Sequence, residues 1–155
     1  MRRLRWWIGL VASLAPMGGI PAAALDVSAC EQTASTMLVQ VQGVRSGQGT
    51  LVAELYGDNS EAFLRKAGRL IRERVPARPG SMALCLPAPR PGVYAVAVYH
   101  DENDNRKFDR SWIGLPSEGY GVSNNPRPLF RAPTHSESAI RVGTGHRVVN
   151  IELRY

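Results

Sequence analysis

The strongest constraint in this chain is a rhythm of two. In Thr36–Gln42 (TMLVQVQ), Met37, Val39 and Val41 share one face while Gln40 and Gln42 share the other. Leu51, Ala53 and Leu55 alternate in the same way with Val52, Glu54 and Tyr56. An extended chain sends successive side chains to opposite faces, so this period marks strands with one side in a core. The rhythm returns in Tyr94, Val96 and Val98, and again in Val149, Ile151, Leu153 and Tyr155. Strand-like runs also occupy 69–75, 81–86 and 139–142, and the breaks around them carry Pro76, Pro79-Gly80, Pro87, Pro91-Gly92 and Gly143-Thr144-Gly145. Proline interrupts a hydrogen-bonded ladder and glycine supplies turn conformations, so these residues punctuate the strands. Gly47-Gln48-Gly49 is expected to fold the first two runs into a hairpin. Residues 60–68 (SEAFLRKAG) are ambiguous, since Ser60 is able to cap a helical turn that Gly68 soon stops. About seven short strands with regular turn signals and no long amphipathic helix define an all-β, antiparallel sandwich.

The N-terminus has a different character. Arg2, Arg3 and Arg5 precede an apolar run, Trp6 to Ala15, and Ala22-Ala23-Ala24 offers small residues for cleavage, which is the pattern of an export signal over 1–24. The apolar run is short for a bilayer span, and no second candidate follows. Residues 25–35 then form a lead-in and 36–155 a single domain. Setting the leader's three arginines aside reduces the formal charge from +6 to +3. The remaining basic residues, Arg65-Lys66, Arg69, Arg72, Arg74 and Arg78, do not interleave with aromatics as a nucleic-acid surface does. They are expected to form a solvated strand face, with weak attraction to an anionic envelope surface as the alternative. Two cysteines remain, Cys30 and Cys85, and an isolated pair in an oxidising compartment points to a disulfide. The rival reading takes Val27-Ser28-Ala29-Cys30 as a lipobox, making Cys30 a lipid anchor. Asp26 and the early end of the apolar run weigh against it. The expected location is thus periplasmic or secreted.

Residues 101–138 form the longest stretch without clear periodicity, and loops of that length are usually functional or disordered. Phe108, Trp112, Tyr120 and Phe130 give this one apolar surface to pack. It opens on DENDNRKFD. Asp101, Asn103, Asn105 and Asp109 fall at positions 1, 3, 5 and 9 of a calcium-loop template, and Lys107 offers a carbonyl at position 7. The template wants glycine at position 6 and a bidentate glutamate at position 12, where this chain has Arg106 and Trp112; Glu118 replaces the missing acid only by folding back. The competing reading is an Asx-rich turn that braces itself through side-chain bonds to its own backbone. Bracing is the narrow choice and calcium the alternative cofactor. Further on, His100, Glu118, Tyr120, Ser123, Asn124 and Asn125 are candidates for facing a ligand, such as an envelope protein or a glycan. No Gly-x-Ser-x-Gly elbow surrounds Ser123 or Ser136, and His100, His135 and His146 lack zinc spacing, so no catalytic residue is assigned.

Two blocks carry a resemblance. Gly92-Val-Tyr-Ala-Val-Ala-Val-Tyr-His-Asp-Glu-Asn103 and Glu118-Gly-Tyr-Gly-Val-Ser-Asn-Asn125 resemble the signature of small exported bacterial proteins grouped as domain of unknown function 2141. The resemblance implies an Ig-like or transthyretin-like sandwich with no established activity. It also implies a loop of the form His-Asp-Glu-Asn-Gly-Asn-Gly-Lys-x-Asp, in which Asp104 and Arg106 here take the glycine places. The leading expectation is a non-enzymatic envelope module displaying a polar loop. The alternatives are an accessory subunit of a larger envelope assembly and a small hydrolase of the transthyretin-related hydroxyisourate type. Those hydrolases end in Tyr-Arg-Gly-Ser, whereas this chain ends Ile151-Glu-Leu-Arg-Tyr155.

Overall fold

The computed structural model of the chain describes Cys30, residues 35–129 and residues 131–155. The leader, the lipobox residues before Cys30, most of the lead-in and Phe130 lie outside the described residues. Among the described residues eight strands are divided between two sheets: β1 (Ser35–Val44), β2 (Thr50–Tyr56), β3 (Arg69–Pro76), β4 (Gly80–Pro87), β5 (Gly92–Asp101), β6 (Gly119–Val122), β7 (Ile140–Val142) and β8 (Gly145–Glu152). One sheet has the order β4-β1-β8; the other has the order β3-β2-β5-β6, with β7 also on β5. β6 pairs with Ala97–His100 and β7 with Gly92–Tyr94. All pairs are antiparallel except β1 with β8, which run parallel from Ser35↔Gly145 to Gln42↔Glu152. Among the described residues no helix is long and apolar enough to cross a membrane.

The alternation predicts the core well. Met37, Val39 and Val41 from β1, Leu51, Ala53 and Leu55 from β2, and Val96 and Val98 from β5 are buried between the sheets. Leu84, Leu86, Val149, Ile151 and Leu153 close the same core. Gln40 and Gln42 face solvent, as the period requires. β5 is buried along nearly its whole length because a second apolar cluster (Tyr56, Phe63, Ala95, Ala97 and Val122) covers its other side. Phe63 reaches that cluster from the segment after β2, where Asn59 caps a 3-10 turn at Ser60–Ala62 and a second turn follows at Lys66–Gly68.

Two expectations are corrected. Gly47-Gln48-Gly49 does not close a hairpin: β1 and β2 belong to different sheets, and this segment carries the chain from one to the other. Gly49 has φ +65°, and a side chain there would overlap the Asp101 carbonyl, so it lets the crossover pass against the end of β5. The long stretch after Asp101 also contains β6. Its inward positions are Gly119 and Gly121, so it shows no apolar alternation. A Cβ on Gly121 would press into the backbone of Glu152, and one on Gly119 would overlap the Tyr155 ring. The glycines let the C-terminal segment close over β6, joined by the pair Tyr120↔Arg154.

The disulfide expectation holds: Cys30 is bonded to Cys85 across 55 positions, with Cα atoms 5.4 Å apart. Cys85 sits on β4 opposite Leu38, so the bond ties the start of the described chain to the three-stranded sheet.

A braced loop and a basic cleft on the outer sheet face

The loop begins at the buried end of β5. The Asp101 Oδ1 accepts the Asn105 N–H at 3.0 Å, while Oδ2 accepts the Arg106 N–H at 2.9 Å and Arg74 Nη2 at 3.0 Å. Asn103 Oδ1 accepts the Asn105 N–H, and Asn105 Oδ1 accepts the Lys107 N–H. Both amides also donate to Asp109 Oδ2, at 2.8 and 2.7 Å. Asp104 is held at Oδ1 by Thr50 Oγ1 and Arg74 Nη2. Asp101, Asn103, Asn105 and Asp109 are thus brought into one hydrogen-bonded turn. Asp104 and Arg106 have φ of 52° and 66°, a left-handed conformation that suits glycine best and costs most for a residue such as arginine. These are the two positions where the family-like loop carries glycine. Among the described residues no three His, Cys, Asp or Glu side chains are grouped to hold a metal ion.

Glu118 does fold back onto this turn. Its Oε2 accepts the Asp109 N–H at 3.1 Å, while its buried Oε1 has no hydrogen-bond partner. Burial pushes its carboxyl pKa up, opposed by the Asp109 N–H and reinforced by the charges of Asp101, Asp109 and Glu102.

The other candidate positions serve the scaffold. His100 is fully buried on the inward side. Its Nε2 lies 2.8 Å from the Gln48 carbonyl, which only accepts, so that nitrogen carries the proton. Nδ1 then accepts from the Tyr155 hydroxyl at 2.7 Å, and that hydroxyl in turn accepts the Arg45 N–H at 3.1 Å. The Arg45 guanidinium lies 4.1 Å from the Tyr155 ring centre and pairs with Glu102. Ser123 is fully buried, donating to the Ser138 carbonyl and accepting from the Val96 N–H. Asn124 Nδ2 donates to the carbonyls of Glu137 and Ala139. Asn125 Oδ1 accepts the Glu152 N–H and its Nδ2 donates to the Asn150 carbonyl, so one side chain extends the ladder of β8. These four side chains, with Glu118, are turned toward the protein itself. His135 Nε2 bonds the Gly57 carbonyl, and among the described residues no hydrogen bond joins a serine to a histidine. The short helix α1 (His135–Ser138) is fixed by a capping box between Thr134 and Glu137.

Tyr120 is the exception, because it faces outward. With Tyr99 it flanks Phe108, whose ring stands edge-on to Tyr99 at 5.4 Å and to Tyr120 at 6.0 Å. Phe108 thereby pins the braced loop to the outer face of the larger sheet. Between the loop, the segment 64–72 and the residues Pro128, Arg131, Ala132 and Pro133 lies a cleft of about 810 Å³. Tyr56, Ala97, Tyr99, Tyr120 and Val122 contribute to its floor, and residues 106–116 of the loop form one wall. At its base Glu54 accepts from the Tyr56 hydroxyl at 2.6 Å and lies 3.1 and 3.4 Å from the Nε atoms of Arg69 and Arg72. Both approaches go to one oxygen, Oε1, and neither has hydrogen-bond alignment. Arg72 also bonds the Tyr99 hydroxyl and the Arg106 carbonyl. Burial chiefly, and then the bond to Glu54, pushes the Tyr56 phenol up.

The arginines of β3 are therefore not a solvated face: Arg69, Arg72 and Arg74 fold across the sheet onto Glu54 and Asp101. The sequence held one clue to this, a glutamate in the middle of the otherwise apolar β2. Glu54 stands directly opposite Arg72 in the β2–β3 register.

A two-sheet sandwich with a braced loop over one outer face defines a class by its architecture. The family model described as an uncharacterized protein conserved in bacteria (DUF2141) matches residues 39–150, and the chain belongs to that family. No curated protein and no solved structure matches the chain.

Proposed function

We propose that this protein is a non-enzymatic binding module of an oxidising, exported compartment, and that its ligand sits in the cleft on the outer face of the larger sheet. The observation that carries the proposal is the cleft itself. Its roughly 810 Å³ falls in the range of small-molecule sites, and it combines aromatic and apolar surface with convergent charged groups. The leader-like N-terminus and the Cys30–Cys85 disulfide support the compartment. In this reading the 101–109 turn is a brace that holds one wall of the cleft, rather than a calcium staple. The support is that its oxygens already accept backbone N–H groups, Arg74 and the amides of Asn103 and Asn105.

Dialysis of the protein against an envelope extract, followed by mass spectrometry of the retained small molecules, tests the site. Ala97→Trp fills the floor, so retention should disappear in that variant; equal retention by both proteins sinks the proposal. The brace is tested by melting in calcium, magnesium and chelator. A ligand of the native state raises stability as RT ln(1 + [L]/Kd), so a calcium-specific rise lost in Asp109→Ala would replace the brace with a staple.

A further inference from the structure

The cleft carries a charge imbalance that the fold does not need. Seven basic side chains line it, against one carboxylate, Glu54. Glu54 is shared between Arg69 and Arg72, and Arg131 is engaged by Glu137. Lys66, Lys107 and Arg110 have no acidic partner within ion-pair distance among the described residues. Arg110 lies 5.6 Å from the Phe108 ring, at the wall that Ile113 and Leu115 continue with apolar side chains. Like charges gathered around a concavity repel one another, and in a recess with protein walls their field is focused into the opening. An anion relieves that repulsion, while the rings and aliphatic wall offer nothing to a fully hydrated ion.

We infer that the cleft takes a small amphiphilic anion, a phosphate- or carboxylate-headed molecule with an apolar body. The head lies among Lys107, Arg110, Arg72 and Lys66, and the body packs over Tyr99, Phe108 and Tyr120. Arginine forks match both head groups bidentately, and Phe108 presents a ring to the apolar part. The inference rests on the cleft being the binding site and adds the chemistry of its occupant. The same chemistry occurs in free metabolites and in lipid headgroups.

The test is calorimetric titration of the disulfide-bonded chain with n-octyl phosphate, n-octanol and inorganic phosphate. Octyl phosphate should bind more tightly than either fragment, and its affinity should fall with added salt as the charges are screened. Lys107→Gln with Arg110→Gln removes two cations that hold no acidic partner in the fold, Arg110 losing only its contact with the Phe108 ring, and should weaken octyl phosphate at least about tenfold while shifting the melting temperature by no more than a few degrees. Octanol binding as tightly as octyl phosphate, or a double variant with wild-type affinity, overturns the anion assignment. If that affinity also persists in Ala97→Trp, the cleft is not the site and the functional proposal falls with it. Sedimentation with phosphatidylglycerol vesicles, compared with phosphatidylcholine vesicles, then assigns the source: selective pelleting means a lipid headgroup, and its absence means a soluble anion.

Discussion

Gly119→Ala tests how the C-terminus is held. A Cβ at Gly119 would overlap the Tyr155 ring, whose atoms are the nearest neighbours at that point. The ring must leave, because β6 is fixed by its pairing with β5. Departure breaks the bond from the Tyr155 hydroxyl to His100 Nδ1. His100 is fully buried, so the abandoned nitrogen costs on the order of 1–3 kcal/mol. Loss of the Arg45 guanidinium over the ring adds about 0.5–1 kcal/mol, the value for an exposed cation–π contact. Alanine returns about 0.5–1 kcal/mol relative to glycine within a strand. The net loss is about 2 kcal/mol, which lowers the melting temperature by roughly 6–10 °C for a domain of this size.

The assay is a double-mutant cycle by urea denaturation. Tyr155→Ala removes the same interactions and should cost about the same. In that background Gly119→Ala meets open space, so it should be neutral or slightly stabilising, giving a coupling of about 2 kcal/mol. Gly121→Ala serves as the contrast: its Cβ would strike the Glu152 carbonyl and Ile151, so removing Tyr155 should not rescue it. If Gly119→Ala costs the same with and without Tyr155, the ring is not what the glycine makes room for, and the argument fails.

Other consequences are more direct. Reducing the Cys30–Cys85 bond frees a loop of 55 positions, which the chain-entropy relation values at roughly 4 kcal/mol; a urea midpoint unmoved by reductant would refute this. Burial raises the Glu118 pKa in the folded state, so its contribution to stability is present below the ordinary carboxylate range and is lost as pH rises through the raised value. Glu118→Gln should therefore stabilise the protein at pH 7 and change little at pH 4, measured as the pH dependence of the urea midpoint. Arg106→Gly relieves a left-handed arginine and should raise stability by about 0.5–1 kcal/mol in thermal melts, whereas Asn105→Gly should lower it by removing the acceptor of the Lys107 N–H.

The sandwich was legible because its inner faces obey the period of two, from Met37 to Leu153. β6 was not, because its inward residues are glycines: its packing partner is the returning chain at Glu152 and Tyr155, which leaves no apolar pattern to count. The crossover at Gly47–Gly49 is hidden for a related reason. Alternating strands joined by a glycine-rich link look alike whether they pair with each other or with strands far along the chain. Here β1 finds β4 and β8, while β2 finds β3 and β5.

The candidate site shows a sharper version of the same limit. Loop residues singled out for their polar groups, Ser123, Asn124 and Asn125, spend those groups on backbone atoms of Ser138, Ala139 and Asn150. The cleft is instead furnished by residues that looked like ordinary surface: Arg72, Lys107, Arg110 and the aromatic faces of Tyr99 and Tyr120. Composition along the chain cannot distinguish the two groups, because their roles depend on which sheet face the loop covers. That choice is made at Phe108, the ring between Tyr99 and Tyr120, and at Asp101, whose carboxylate turns the chain back over β3. The polar turn is thus coupled to the cleft mechanically. It sets where Lys107 and Arg110 stand, so loosening the turn should disturb binding through position before it disturbs it through charge.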